Sequence, residues 1–136
     1  MSFSNVHFIL FKPQLAENIG ACARALKNFN FTKLKLVSPK ISFPNEKVFA
    51  TSVGAKDIIN SSKIYSNFED AIKNTNCVIA TSSRIRKKNY KYLSINELKK
   101  IDFKKKIAII FGETIVNLLK LKFFNALAQA PIFSAN

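Results

Sequence analysis

The sequence predicts an α/β domain, a parallel sheet with helices on both faces. Three observations carry that expectation. Short apolar runs recur along the chain, each closed by turn residues, as in strands buried on both sides. Segments with helical spacing and capping residues separate them, in the order β-α-β-α-β-α-β-α-β. The chain has 136 residues, 48% of them hydrophobic, enough for one domain (residues 1–136) with a real core.

The elements follow in order. Val6-His7-Phe8-Ile9-Leu10-Phe11 is a buried strand. Pro13-Gln14-Leu15-Ala16-Glu17-Asn18 leads from it, through an Asn18-Ile19-Gly20 turn, into a helix over Glu17–Asn30 that turns Ile19, Ala23, Leu26 and Phe29 inward. Leu34-Lys35-Leu36-Val37 is a short strand ending before Pro39. Asn45 caps a second helix with Val48, Phe49 and Val53 on its apolar side, and Gly54 ends it. Lys63-Ile64-Tyr65 is a brief strand, after which Ser66 or Asn67 caps Phe68–Lys73, with Glu69 and Asp70 in the first turn where the dipole favours them. Cys77-Val78-Ile79-Ala80 and Ile107–Phe111 are buried strands, and between them Ser94-Ile95-Asn96-Glu97 is a capping box opening a helix over Ser94–Ile101.

Lysine and arginine number 22 against 8 acidic residues, a net charge of +14. So basic a small domain points to a polyanion, nucleic acid first and an acidic membrane surface second. Nineteen of the basic residues are lysines, a bias that AT-rich coding also produces. Cys22 and Cys77, both in apolar surroundings, read as buried, inert thiols rather than a disulfide scaffold or zinc site. Neither a signal segment nor an apolar run of membrane length is present, so the expected location is the cytoplasm, with no membrane partner. Three glycines leave no dinucleotide fingerprint or P-loop. His7, the single histidine, lies inside a strand, which argues against a hydrolase triad, and no acidic cluster marks a two-metal site.

Ligands of open parallel sheets collect beyond the carboxyl ends of the strands. Three such ends here are unusual. After the first strand, the helix start and Arg24 can form an anion site, although an ordinary strand–helix connection with a solvated arginine uses the same residues. Thr81-Ser82-Ser83 offer small hydroxyls to a polar ligand, and Arg84, Arg86, Lys87 and Lys88 can hold a phosphate chain; a solvated basic loop is the alternative. Tyr90 and Tyr92, interleaved with Lys91, present stacking faces or cover a sheet edge. Gly112, directly after a strand, marks close backbone approach or a plain turn.

These motifs together resemble the SpoU branch of the SPOUT superfamily, the α/β-knot RNA ribose 2′-O-methyltransferases. The segments that carry the resemblance are Pro13 with Glu17-Asn18-Ile19-Gly20-Ala21, Arg24 and Lys27-Asn28-Phe29, then Leu36-Val37-Ser38-Pro39, Phe43-Pro44-Asn45-Glu46, Ser52-Val53-Gly54-Ala55 and Ala80-Thr81-Ser82-Ser83-Arg84. They run in order across residues 5–113 and are most similar to the subgroup acting on the tRNA anticodon loop. The resemblance implies S-adenosylmethionine as cofactor, tRNA or rRNA as partner, no metal, and a homodimer as in full-length relatives. It places Asn18 and Arg24 at the target ribose and its phosphate. It places Thr81, Ser82, Ser83 and Gly112 at the cofactor, with Ala130 and Ile132 in an apolar segment that also contacts it. An arginine stays protonated in proteins, so Arg24 suits phosphate holding and stabilisation of a developing alkoxide better than proton abstraction.

The carboxyl-terminal part departs from the family pattern. Glu113 follows Gly112 directly, and Thr114-Ile115-Val116-Asn117-Leu118-Leu119 lacks the glycine that opens the next helix. The sequence stops at Asn136, before the Ser-Leu-Asn segment of the family. The expectation is therefore a domain truncated at its carboxyl end, without the final knot helix. Leu118, Leu119, Leu121, Phe123 and Phe124 would then be less covered and favour self-association. A catalytically silent, RNA-binding relative is the alternative that this departure raises.

Overall fold

The computed structural model describes residues 3–43, 45–82, 92–112 and 126–129. Along these the elements are β1 (Val6–Phe11), α1 (Ala16–Asn28), β2 (Lys33–Val37), α2 (Glu46–Thr51), α3 (Lys56–Ser61), β3 (Lys63–Tyr65), α4 (Phe68–Ala71), β4 (Cys77–Ser82), β5 (Tyr92–Leu93), α5 (Ile95–Leu98), β6 (Ile107–Phe111) and β7 (Ala126–Gln129). They build one sheet in the order β3-β2-β1-β6-β4-β7-β5, with every pairing parallel. β1 and β6 are neighbours near the middle although most of the chain separates them, and β1 is where the strand order reverses direction.

The register sorts the side chains. His7 pairs with Lys33 and Ala108, Ile9 with Lys35 and Ile110, and Phe11 with Val37, so these residues share one face. Ile9, Phe11, Val37, Val78, Ala80, Ala108 and Ile110 pack there with Phe68 and Ala71 of α4. On the other face Leu34 and Leu36, with Phe8 and Leu10 beside them, pack against Ile19, Ala23 and Leu26 of α1, Val48 of α2, and Ile58 and Ile59 of α3. Helices therefore cover both faces. Burying a side chain such as Ile19 or Leu26 contributes about 2 kcal/mol.

Several local expectations are met through specific bonds. Asn45 Oδ1 accepts from the Val48 amide (3.0 Å), and Asn67 Oδ1 from the Asp70 amide (2.9 Å). Ser94 Oγ accepts from the Glu97 amide (3.2 Å) while a Glu97 carboxylate oxygen accepts from the Ser94 amide (2.8 Å), the reciprocal capping box.

Other expectations are corrected. Asn18-Ile19-Gly20 is not a turn: it lies within α1, whose first residue is Ala16. Phe29 does not face the core. The helix ends at Asn28, Asn30 turns to φ 63°, and Phe29 is left 70% exposed. The second helix stops at Thr51, and Gly54, at φ +80°, turns the chain into a third helix that the sequence pattern hides. α4 and α5 end sooner than expected, at Ala71 and Leu98. β5 and β7 widen the five expected strands to seven. The apolar patch from Leu118 to Phe124 and the segment of the knot lie outside the described residues.

Candidate active site

The rim at the carboxyl ends of β1 and β6 is shaped by how the chain leaves each strand. After Phe11, Lys12 takes a left-handed backbone (φ 51°), and its amide donates to the Val37 carbonyl (2.8 Å). Such a φ is uncommon for a residue with a β-carbon, and the bond to β2 holds it. The Lys12 ammonium lies 5.2 Å from the centre of the Phe11 ring. Ser38, after β2, has φ 46°; its amide donates to the Tyr65 carbonyl (2.9 Å) and its hydroxyl to the Ser66 carbonyl (2.8 Å). Both strands thus end in pinned, sharp exits.

Pro13, Gln14 and Leu15 then carry the chain to α1. Leu15 stands at the N-cap and offers no side-chain oxygen, so the first amides of α1 keep their dipole at this rim. Across from it, Gly112 follows β6. A β-carbon at residue 112 would lie 2.7 Å from the Phe11 carbonyl oxygen, so glycine is required by the approach of β1 itself. Between the two strand ends lies a cavity of about 260 Å³, walled by Leu10, Phe11 and Phe111 and edged by Gln14, Asn18 and Gly112. Apolar walls with few polar groups at the edge are the usual make-up of a small-molecule site.

Thr81 belongs to the same rim. It follows Ala80, which pairs with Ile110, and its hydroxyl donates to the Ile110 carbonyl at 2.8 Å. Asn18, Thr81 and Gly112 are therefore gathered at neighbouring strand ends. Neither Thr81 nor Arg24 is among the residues lining the cavity, and Arg24 is exposed on α1. Six residues of helix amount to about 9 Å of rise and 240° of rotation, so Asn18 and Arg24 leave α1 in different directions. Ser82 is the last residue of β4. Ser83, Arg84, Arg86, Lys87, Lys88, Tyr90, Ala130 and Ile132 lie outside the described residues.

Sequence reasoning missed Lys12, Gln14 and Phe111 as lining residues. The signal for Phe111 was its place before Gly112; Lys12 gave none, because a lysine at positive φ looks like any other lysine. Cys22, in α1, and Cys77, in β4, are half-buried rather than buried as expected, and desolvation pushes the Cys22 thiol up to about 11.

The fold and this rim define a parallel-sheet α/β protein with a cleft at the switch point of its strand order, where ligands of such sheets collect. Residues 5–114 match the model of the SpoU rRNA Methylase family, and the chain belongs to that family. A tRNA (cytidine-2′-O-)-methyltransferase TrmJ of Methanocaldococcus jannaschii is 36% identical over 112 residues, covering 79% of this chain and 48% of that protein. The solved structure of a probable methylase family protein from Haemophilus influenzae is 31% identical with a TM-score of 0.83, covering 100% of this chain and 58% of that one. The SpoU methyltransferase AviRb of Streptomyces viridochromogenes, solved in complex with the cofactor AdoMet, has a TM-score of 0.66 over 98% of this chain and 51% of its own. At 15% identity that likeness is one of fold. The chain spans about half the length of the curated relatives it matches.

Proposed function

We propose that this chain is the catalytic domain of an RNA ribose 2′-O-methyltransferase that uses S-adenosylmethionine, with tRNA as its substrate. The observation that supports this most is the cavity between β1 and β6, edged by Asn18 and Gly112, in a chain of the SpoU family. The tRNA assignment leans on the name of the archaeal relative. The residues present fit a nucleoside cofactor: Leu10 and Phe111 offer apolar faces, and Gly112 is exposed and carries no side chain to block approach. That cofactor supplies an electrophilic methyl group on a sulfonium.

What remains for the protein is alignment and charge. Asn18, at the cavity edge, orients the ribose hydroxyl through its carboxamide. Arg24, exposed, permanently cationic and directed away from Asn18, holds a neighbouring phosphate of the RNA outside the cavity. Leu15, 56% exposed beside the cavity, leaves an apolar side chain for a second copy of the chain to cover, in keeping with a homodimer.

Transfer of a labelled methyl group from S-adenosylmethionine to tRNA tests the activity. Asn18→Ala and Arg24→Ala are each expected to lower the rate by about 100-fold, the scale of losing one charge-stabilising group. Wild-type rates in both variants would remove these residues from the site. Absence of transfer to tRNA and rRNA alike would overturn the activity.

A further inference from the structure

The opposite, amino-terminal end of the sheet carries a second concentration of charge. His7 and Lys33 are paired in register, Lys63 pairs with Lys35, and Lys106 immediately precedes Ile107, the partner of Val6. Counting by twos along each strand puts all five on the face that α4 covers. Lys35 is buried, donates to the Ala71 carbonyl (2.7 Å) and lies 5.4 Å from the centre of the Tyr65 ring, so its charge is fixed beneath the others. Lys33 and Lys63 are exposed, and Lys106 is partly so. The imidazole Nδ1 of His7 is buried and lacks a hydrogen-bond partner among the described residues.

These groups feel one another. Burial first, and then the charges of Lys106 and Lys63, bring the Lys35 ammonium down to about 8. Burial and the charges of Lys35, Lys106, Lys33 and Lys63 bring His7 down to about 4. Among the described residues the one ion pair joins Lys27 to Asp57, on the other side of the sheet. Glu69 and Asp70 stand on α4, yet among the described residues neither pairs with these lysines, and gathering unpaired cations costs free energy that a bound polyanion returns.

At the same end of the sheet, on the side where Phe3 meets Phe31, opens a cleft of about 410 Å³ lined by Phe3, Asn5, Ile101, Asp102, Phe103 and Lys104. Phe103 is 38% exposed, and the Asn5 side chain donates to the Lys104 carbonyl (3.0 Å), which ties the cleft to the start of β1. Exposed cations and an exposed ring at the same end of the sheet match a single nucleic-acid strand, whose bases need a stacking face, better than a lipid surface.

We propose that the amino-terminal end of the sheet is a second RNA-binding surface, on which Lys33, Lys63 and Lys106 hold phosphates of a single-stranded segment and the Phe103 cleft receives a base. That the polyanion is RNA rests on the methyltransferase reading; the surface itself does not. Strands of this length separate it from the cavity by about 17–20 Å. It therefore anchors a part of the RNA remote from the methylated nucleotide.

Fluorescence anisotropy of labelled tRNA with the full chain, titrated across salt concentrations, tests this. Lys33→Gln/Lys63→Gln is expected to weaken binding roughly tenfold and to flatten the slope of log K against log salt by about 2, one per lost phosphate contact. Lys47→Gln/Lys56→Gln, on α2 and α3 with the same change in charge, is expected to do neither. Phe103→Ala should weaken binding with the slope unchanged. In methyl transfer, the first pair should raise the KM for tRNA and leave kcat intact.

Equal losses in the two lysine pairs, or none in the first, would overturn the proposal. So would a Phe103→Ala chain that binds as wild type. Lys33/Lys63-dependent binding to phosphatidylserine vesicles with tRNA affinity untouched would assign the surface to membranes and overturn it too. If methyl transfer is absent but the lysine pairs still differ in tRNA binding, the proposed activity fails and this surface stands.

Discussion

The Thr81 hydroxyl donates to the Ile110 carbonyl oxygen across 2.8 Å, fastening the end of β4 to the end of β6 beside Gly112. A hydroxyl used in this way has its hydrogen committed and only lone pairs left for a ligand. Thr81→Val keeps the shape and deletes the bond. It is expected to cost about 1 kcal/mol of stability, within the usual worth of such a hydrogen bond. Calorimetry with S-adenosylmethionine should show weaker binding in Thr81→Val and recovery in Thr81→Ser. Equal affinity in all three chains would confine Thr81 to holding the strands together.

Gly20 should tolerate no side chain. An added β-carbon would collide with the Thr51 side chain and lie 2.8 Å from the Val48 carbonyl oxygen, because α1 and α2 cross closely there. Gly20→Ala is expected to destabilise the fold by about 1–3 kcal/mol despite the better helix propensity of alanine. Adding Thr51→Gly removes the side-chain collision but not the carbonyl, so the double variant should recover part of the loss. Urea denaturation midpoints read both effects.

Stability should rise with pH in two separate windows. His7 is brought from 6.5 to about 4 in the folded chain, so between those values the unfolded chain holds a proton the folded one refuses, and acid favours unfolding. Lys35, brought from 10.5 to about 8, behaves likewise on the alkaline side: the unfolded chain stays protonated longer, and stability grows as pH climbs through that window. Each effect is held to about 1–2 kcal/mol. His7→Phe should flatten the acid window and Lys35→Met the alkaline one in midpoints measured against pH. A slope unchanged in either variant would locate the titration elsewhere.

The parallel sheet was legible because β1, β2, β4 and β6 are rich in Ile, Val, Leu and Phe, and each is closed by turn residues. β7 was not, since Ala126-Leu127-Ala128-Gln129 holds no β-branched or aromatic residue and only its place beside β4 makes it a strand. α3 was hidden behind Gly54, which ends one helix in the sequence pattern but in space turns the chain into the next. At the site, Asn18, Thr81 and Gly112 could be read from the places where strands end. The close approach that fixes Gly20 could not, because it depends on where α2 lies. Phe29 was misjudged for a related reason: its spacing continues the apolar stripe, but the helix stops one residue earlier.

The cavity has consequences for biosynthesis, because Leu10 and Asn18 are made well before Phe111 and Gly112. A nascent polypeptide can dock α1 onto β1 and β2 early, yet the cleft has only one wall until β6 slots in beside β1. Until then the β1 edge is open to mispairing, and the cleft takes shape only once β6 has been made.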